Sequence, residues 1–159
     1  MLLLCQWPKS SLEAILLDPA ASHQTRTIQG VELLQGITLI PLTDDVVDGL
    51  PSSSGVASVE GSFWKFNAAI ETLLQTLSRS GRVAYVEVDY FGGSGTQAAA
   101  VWHEGTVVFG PVCTQGRGAV NEALQFLGVV RGNALDEFDA VDLSNSGRNR
   151  STEAWVKSQ

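Results

Sequence analysis

Arg82–Phe109, RVAYVEVDYFGGSGTQAAAVWHEGTVVF, is the stretch whose reading decides the fold. From Ala84 to Phe91 the side chains alternate. Ala84, Val86, Val88 and Tyr90 fall on one face, and Tyr85, Glu87, Asp89 and Phe91 on the other. That is the period of two of a half-buried antiparallel strand, and its β-branched and aromatic content agrees. Gly92-Gly93-Ser94-Gly95 then breaks the chain. Thr96–His103 resumes an extended run, Glu104-Gly105 makes a tight turn, and Thr106–Phe109 forms a third strand. Gly110-Pro111 is expected to end that strand, because proline cannot donate to a sheet ladder. A central three-stranded meander follows from this reading.

Two features of the stretch could carry chemistry. Glu87 and Asp89 share a strand face, roughly 6.5–7 Å apart by strand rise. Such a pair can bind a cation, share acid/base work or meet a basic partner. The alternation itself predicts that this face is solvated and the opposite face is core. The glycine loop Gly92, Gly93, Gly95 invites a phosphate-binding reading, but a P-loop needs a Lys-Ser/Thr pair and a following helix. Here the loop runs into Thr96-Gln97-Ala98 and a strand, so the glycines are read as permitting a wide hairpin or bulge.

Outward from the meander, Phe63, Phe66, Ile70, Leu73, Leu74 and Leu77 recur at three- and four-residue steps. They predict a long amphipathic helix over 63–80, capped by Ser62, ended at Ser80-Gly81 and packed on one face of the sheet. Ala119–Leu127 predicts a second helix with Val120, Ala123, Leu124 and Leu127 inward and Gly128 as its stop. Towards the N-terminus, Met1–Trp7 reads as a strand and Leu12–Leu17 as a short helix capped by Ser10 or Ser11. Ala20–Thr27 reads as a loop, and Ile28–Leu34 and Ile37–Leu42 as strands around Gln35-Gly36. Thr43-Asp44-Asp45 reads as a capped helical turn. Pro51–Gly61 reads as a mobile loop, Cys113–Gly118 as a loop, and Ser151 as the cap of a last short helix through Trp155. The whole, 1–159, is expected to be a single α+β domain with a mainly antiparallel sheet.

Four motifs, Tyr85-Val86-Glu87, Tyr90-Phe91-Gly92-Gly93, Gly95-Thr96-Gln97 and Asp136-Glu137-Phe138-Asp139, lie in the second half of the chain. On these that half resembles a family of small uncharacterised bacterial proteins with a YFGGxGTQ-like motif. The resemblance implies a bacterial, intracellular setting and no catalytic residue.

The composition narrows the partners. A net charge of −7 argues against nucleic acid and anionic membranes, which want a basic face, and favours encounter with a basic protein. The apolar N-terminus is short and lacks a basic lead, so a cytoplasmic protein without a membrane span is expected. Cys5 and Cys113 sit in apolar runs and read as buried free thiols, with no metal-ligand spacing. Asp136, Glu137, Asp139 and Asp142 surround Phe138 and Val141. They read as a solvated face, as partners of Arg148 or Arg150, or as a patch for a partner; the calcium-loop spacing is missing.

The catalytic inventory is thin. His23 and His103 stand apart, and no nucleophile elbow, zinc helix or nucleotide fingerprint is present. No cofactor or metal is expected. The leading expectation is a small acidic binding protein, such as an immunity or inhibitor protein that neutralises a basic toxin or enzyme. Its contacts would come from Glu87, Asp89, Asp136, Glu137, Asp139 and Asp142. The alternatives are a small enzyme using Glu87 and Asp89 beside the Gly92–Gly95 loop, and a structural subunit of a homo-oligomeric assembly.

Overall fold

The computed structural model describes residues 11–24, 30–51, 63–89, 95–115, 118–143 and 151–157. Among them six strands form one antiparallel sheet, and helices cover both of its faces, an α+β arrangement. The strands are β1 (Ser11–Leu17), β2 (Val31–Glu32), β3 (Thr38–Pro41), β4 (Val83–Asp89), β5 (Thr96–His103) and β6 (Thr106–Gln115), in the order β2-β3-β1-β4-β5-β6. The helices are α1 (Pro19–Gln24), α2 (Asp44–Asp48), α3 (Ala68–Leu77), α4 (Ala119–Phe126), α5 (Glu137–Ala140) and α6 (Thr152–Lys157).

The strand β1 lies in the middle of the sheet, between β3 and β4, where Leu12–Leu17 reads from sequence as a helix. Every residue of SLEAILL is buried. A strand covered on both faces shows a continuous apolar run instead of alternation, and periodicity cannot separate that run from a short buried helix. Its even side chains Leu12, Ala14 and Leu16 join one core cluster; Ile15 and Leu17 join the other.

The same two-sided burial corrects the reading of β4. Ala84, Val86 and Val88 pack with α4 and with Val141, Leu143 and Trp155. Val83 and Tyr85, on the opposite face, pack with Ile70 and Leu74 of α3, with Ala21 of α1 and with Trp102. Neither face of this strand is solvated, because the chain supplies helices to both.

The helix expected over 63–80 is ten residues, Ala68–Leu77. Asn67 caps it, with extended backbone and a side-chain oxygen that accepts from Ile70 N at 2.8 Å. The residues before it, Phe63–Asn67, are not helical. Phe63 and Phe66 still reach the core, as edge-on partners of Tyr85 at ring separations of 4.9 and 5.1 Å, and Phe66 stacks on Trp102 at 5.8 Å. The apolar stripe is therefore made of a helix and an irregular strap that continues its line.

Smaller differences have similar causes. Residues Pro19–Gln24 are helical, held by Asp18, whose carboxylate accepts from Ala21 N at 2.8 Å and from Arg82 N at 3.0 Å. The strand β6 runs on through Gly110 and Pro111 to Gln115. It is an edge strand with a bulge against Ala99–Trp102, the setting in which a sheet tolerates proline. Gly110 takes φ +78°, and a side chain there would strike the Ala99 carbonyl. Cys113 lies on this edge and is exposed, not buried. Of the expected 28–34 strand only Val31–Glu32 pairs as a strand; 28 and 29 fall outside the described residues, and Leu34–Gly36 is a 3-10 turn. Also outside them lie the expected strand Met1–Trp7, Cys5, residues 52–61 of the serine- and glycine-rich loop, Ser62, Arg148 and Arg150. No helix among the described residues is long and apolar enough to cross a membrane.

Candidate functional site

Antiparallel pairing of β1 with β4 sets Glu13 directly opposite Glu87. Directly opposed like charges destabilise a sheet, so such a pair needs compensating partners. The protein supplies them from the strap. Trp64 donates its backbone N–H to Glu87 Oε1 at 2.7 Å and its indole Nε1–H to Glu13 Oε2 at 3.1 Å. Lys65 donates its backbone N–H to Glu87 Oε2 at 2.9 Å and its ammonium to Glu13 Oε1 at 3.5 Å. Each of these two residues thus grips Glu87 with its backbone and Glu13 with its side chain. Trp64 and Lys65 lie outside the helix, which starts only after its cap, Asn67.

Further contacts close the network. Tyr85 donates its hydroxyl to Glu87 Oε2 at 2.6 Å. Thr152, the first residue of α6, accepts from Glu13 N at 3.0 Å and lies 3.2 Å from Glu13 Oε1. It stands where β3 has ended and fills the ladder position that the strand leaves. Lys65 Nζ also reaches the Leu42 carbonyl at 2.5 Å and Asp44 Oδ1 at 3.1 Å.

Burial and charge act on Glu87 in opposite senses. The residue is 0% exposed, and that loss of solvent pushes its carboxyl above the ordinary range. The Tyr85 hydroxyl and the Lys65 and Trp64 amides pull it down, and the charge of Glu13 pushes it up again. The balance is upward. Tyr85 is raised as well, first by burial and then by Glu87.

Beside the pair an open cleft of about 330 Å³ is lined by Ser11, Glu13, Asp44, Trp64, Lys65, Ser151, Thr152 and Glu153. Asp44 stands at its mouth with a side chain 91% exposed, and Trp64 is 43% exposed. Asp45 and Asp48 continue the exposed acidic surface along α2, whose cap is the Thr43 hydroxyl.

The residues named from sequence are not brought together. Glu87 is buried, and Asp89, two residues on, is half-buried where β4 lies between Ser11 and Thr96. Asp136 caps α5, accepting from Asp139 N at 2.9 Å and from Asn121 Nδ2 at 3.2 Å. Asp139 accepts from Leu135 N at 3.3 Å. Glu137 is half-buried in the first turn of α5, and Asp142 is half-buried with φ +72°. This acidic run packs Phe138 and Ala140 on the sheet face opposite to Glu87. Gly95 is half-buried ahead of β5, and Gly92 and Gly93 lie outside the described residues.

The sequence reading does not single out Glu13, Trp64, Lys65 or Thr152 as site residues. An acid inside the run Leu12–Leu17 was the available signal for Glu13, since a charge in a fully buried strand demands a partner. Among the described residues no group of three or more His, Cys, Asp or Glu is placed to hold a metal ion. Comparisons with family models, with curated proteins and with solved structures find no match.

Proposed function

We propose that this chain is an acidic binding protein that meets a basic protein partner, as an immunity or inhibitor protein of a bacterial cytoplasm would. The observation that carries the reading is the exposed Trp64 indole beside the exposed Asp44 at the mouth of the cleft. A half-exposed tryptophan is the residue type that anchors protein interfaces. Its neighbours Asp44, Asp45 and Asp48 give the electrostatic steering that a net charge of −7 supports. The contact surface moves from Glu87 and Asp89 to α2 and the cleft, because Glu87 has no exposed surface.

An enzyme built on Glu87 and Asp89 has less support. Both oxygens of Glu87 are already engaged, and the residue does not line the cleft. No observation favours the assembly-subunit reading over the binding reading. The test is capture of the partner from the native cell, followed by association kinetics against salt. A Trp64→Ala variant that keeps its fold should bind at least tenfold more weakly. Binding indifferent to both salt and Trp64→Ala would overturn the reading.

A further inference from the structure

We propose that the cleft beside the acid pair seats one arginine side chain of the basic partner, its guanidinium held by Asp44, Glu153 and the Ser11 hydroxyl against the Trp64 indole. This rests on the binding reading and names what the cleft would recognise in that partner.

The lining sets the sign of the guest. Three carboxylates, Glu13, Asp44 and Glu153, and one ammonium, Lys65, line the cleft, a formal surplus of two negative charges. Anionic guests are therefore repelled. Glu13 is already committed to Trp64, Lys65 and Thr152. Asp44 gives only Oδ1 to Lys65. Glu153, exposed in the first turn of α6, makes no ion pair among the described residues.

Ser11 points to a guest independently of these charges. It is 7% exposed, and on β1 it shares the face of Glu13, two residues on, which is the face that meets the cleft. Its carbonyl lies 3.4 Å from the Thr152 hydroxyl, but its own hydroxyl has no hydrogen-bond partner among the described residues. A polar group buried to that degree without a partner is costly, so a donor entering the cleft finds an acceptor waiting.

Shape decides among cations. Among the described residues no group of three or more His, Cys, Asp or Glu is placed to hold a metal ion. The ammonium seat, made by Glu13, Asp44 and the Leu42 carbonyl, is filled by the chain's own Lys65. What remains is a set of separate acceptors beside a half-exposed indole. A guanidinium spreads its donors over a plane and stacks on aromatic rings, where an ammonium is a compact point charge. The cleft volume of about 330 Å³ lies near the lower end of ligand clefts, roughly 300 Å³, and suits one long side chain.

The probes are three acetylated and amidated tripeptides, Gly-Arg-Gly, Gly-citrulline-Gly and Gly-Lys-Gly, titrated into the nitrogen-15-labelled full chain at low salt. The arginine peptide should shift the Trp64 indole N–H and the Ser11 and Glu153 amides saturably. It should bind about tenfold more tightly than the citrulline peptide, which keeps the plane and loses the charge, the effect of one charge-assisted hydrogen bond. It should also bind more tightly than the lysine peptide, which keeps the charge and loses the plane. Asp44→Asn and Ser11→Ala should each weaken it. The Asp44 side chain is 91% exposed, so that variant keeps its fold and decides if Ser11→Ala does not. No saturable shift at Trp64, or equal binding of the three peptides, would overturn the proposal. Partner binding that depends on salt and on Trp64, with the cleft indifferent to the arginine peptide, would remove this proposal and keep the binding reading. An arginine peptide held in the cleft, with partner binding indifferent to salt and to Trp64→Ala, would support the guanidinium seat and overturn the binding reading.

Discussion

Glu13 and Glu87 stand directly opposite each other on neighbouring central strands, and the same two residues, Trp64 and Lys65, bind both. This relationship joins distant parts of the chain. It fixes the strap, starts α3 at Asn67 and forms one wall of the cleft. A substitution in the pair should therefore act on folding before it acts on any partner.

Glu87→Lys places an ammonium among amide donors that need an acceptor. It should cost about 3–5 kcal/mol or abolish folding, the range for an uncompensated buried charge. Glu87→Gln keeps one acceptor oxygen and should cost distinctly less. Denaturant titration of both variants checks this; equal, small losses would show that Glu87 is solvated in solution.

Thr152→Val removes the hydroxyl that accepts from Glu13 N while keeping the shape. Leaving that buried N–H without a partner should cost about 1–3 kcal/mol, and Thr152→Ser should recover most of it. Thermal melts of the two variants distinguish a lost hydrogen bond from lost packing.

How far the sequence told this fold depended on one-sided burial. In α4 Val120, Ala123 and Leu124, with Leu127 at its C-cap, are buried as their spacing says, because only one side of that helix meets the core. Thr43 caps α2 as its side chain and neighbours indicate, because a cap is a local interaction. In β1 and β4 helices cover both faces, so neither alternation nor its absence reports which side faces water. The strap was hidden for another reason. Phe63 and Phe66 keep helical spacing, while the carboxylate that holds Trp64 and Lys65 belongs to Glu87, a residue remote in sequence. For the same reason the Glu13–Glu87 site could not be assembled from spacing, since it depends on strand register.

Within α3, Ile70 and Leu74 are fully buried and Leu73 is half-buried. Leu74→Ala should cost about 2–5 kcal/mol, and Leu73→Ala clearly less. Chemical denaturation that ranks them in reverse would mean that α3 is rotated on the sheet.

Asp45 and Asp48 are exposed on α2. Replacing both with Asn should slow association with a basic partner at low salt and leave stability within about 1 kcal/mol. Surface-plasmon kinetics at two ionic strengths, with parallel melts, separates the two effects. An unchanged on-rate at low salt would remove α2 from the contact surface.

The burial of the acid pair is tested most directly by carbon-13 NMR titration of the Glu87 carboxyl in the folded protein. Burial is the first cause acting on it, and it raises the midpoint above the ordinary glutamate value of about 4.3. A raised folded value means that the folded state prefers the proton. The stabilisation from Glu87 is then complete below the ordinary value and is lost as pH climbs through the folded one. The account predicts a midpoint above the ordinary value that falls in Glu13→Gln. It also predicts wild-type stability that declines relative to Glu87→Gln as pH rises. A midpoint at or below the ordinary value, unmoved by Glu13→Gln, would contradict it.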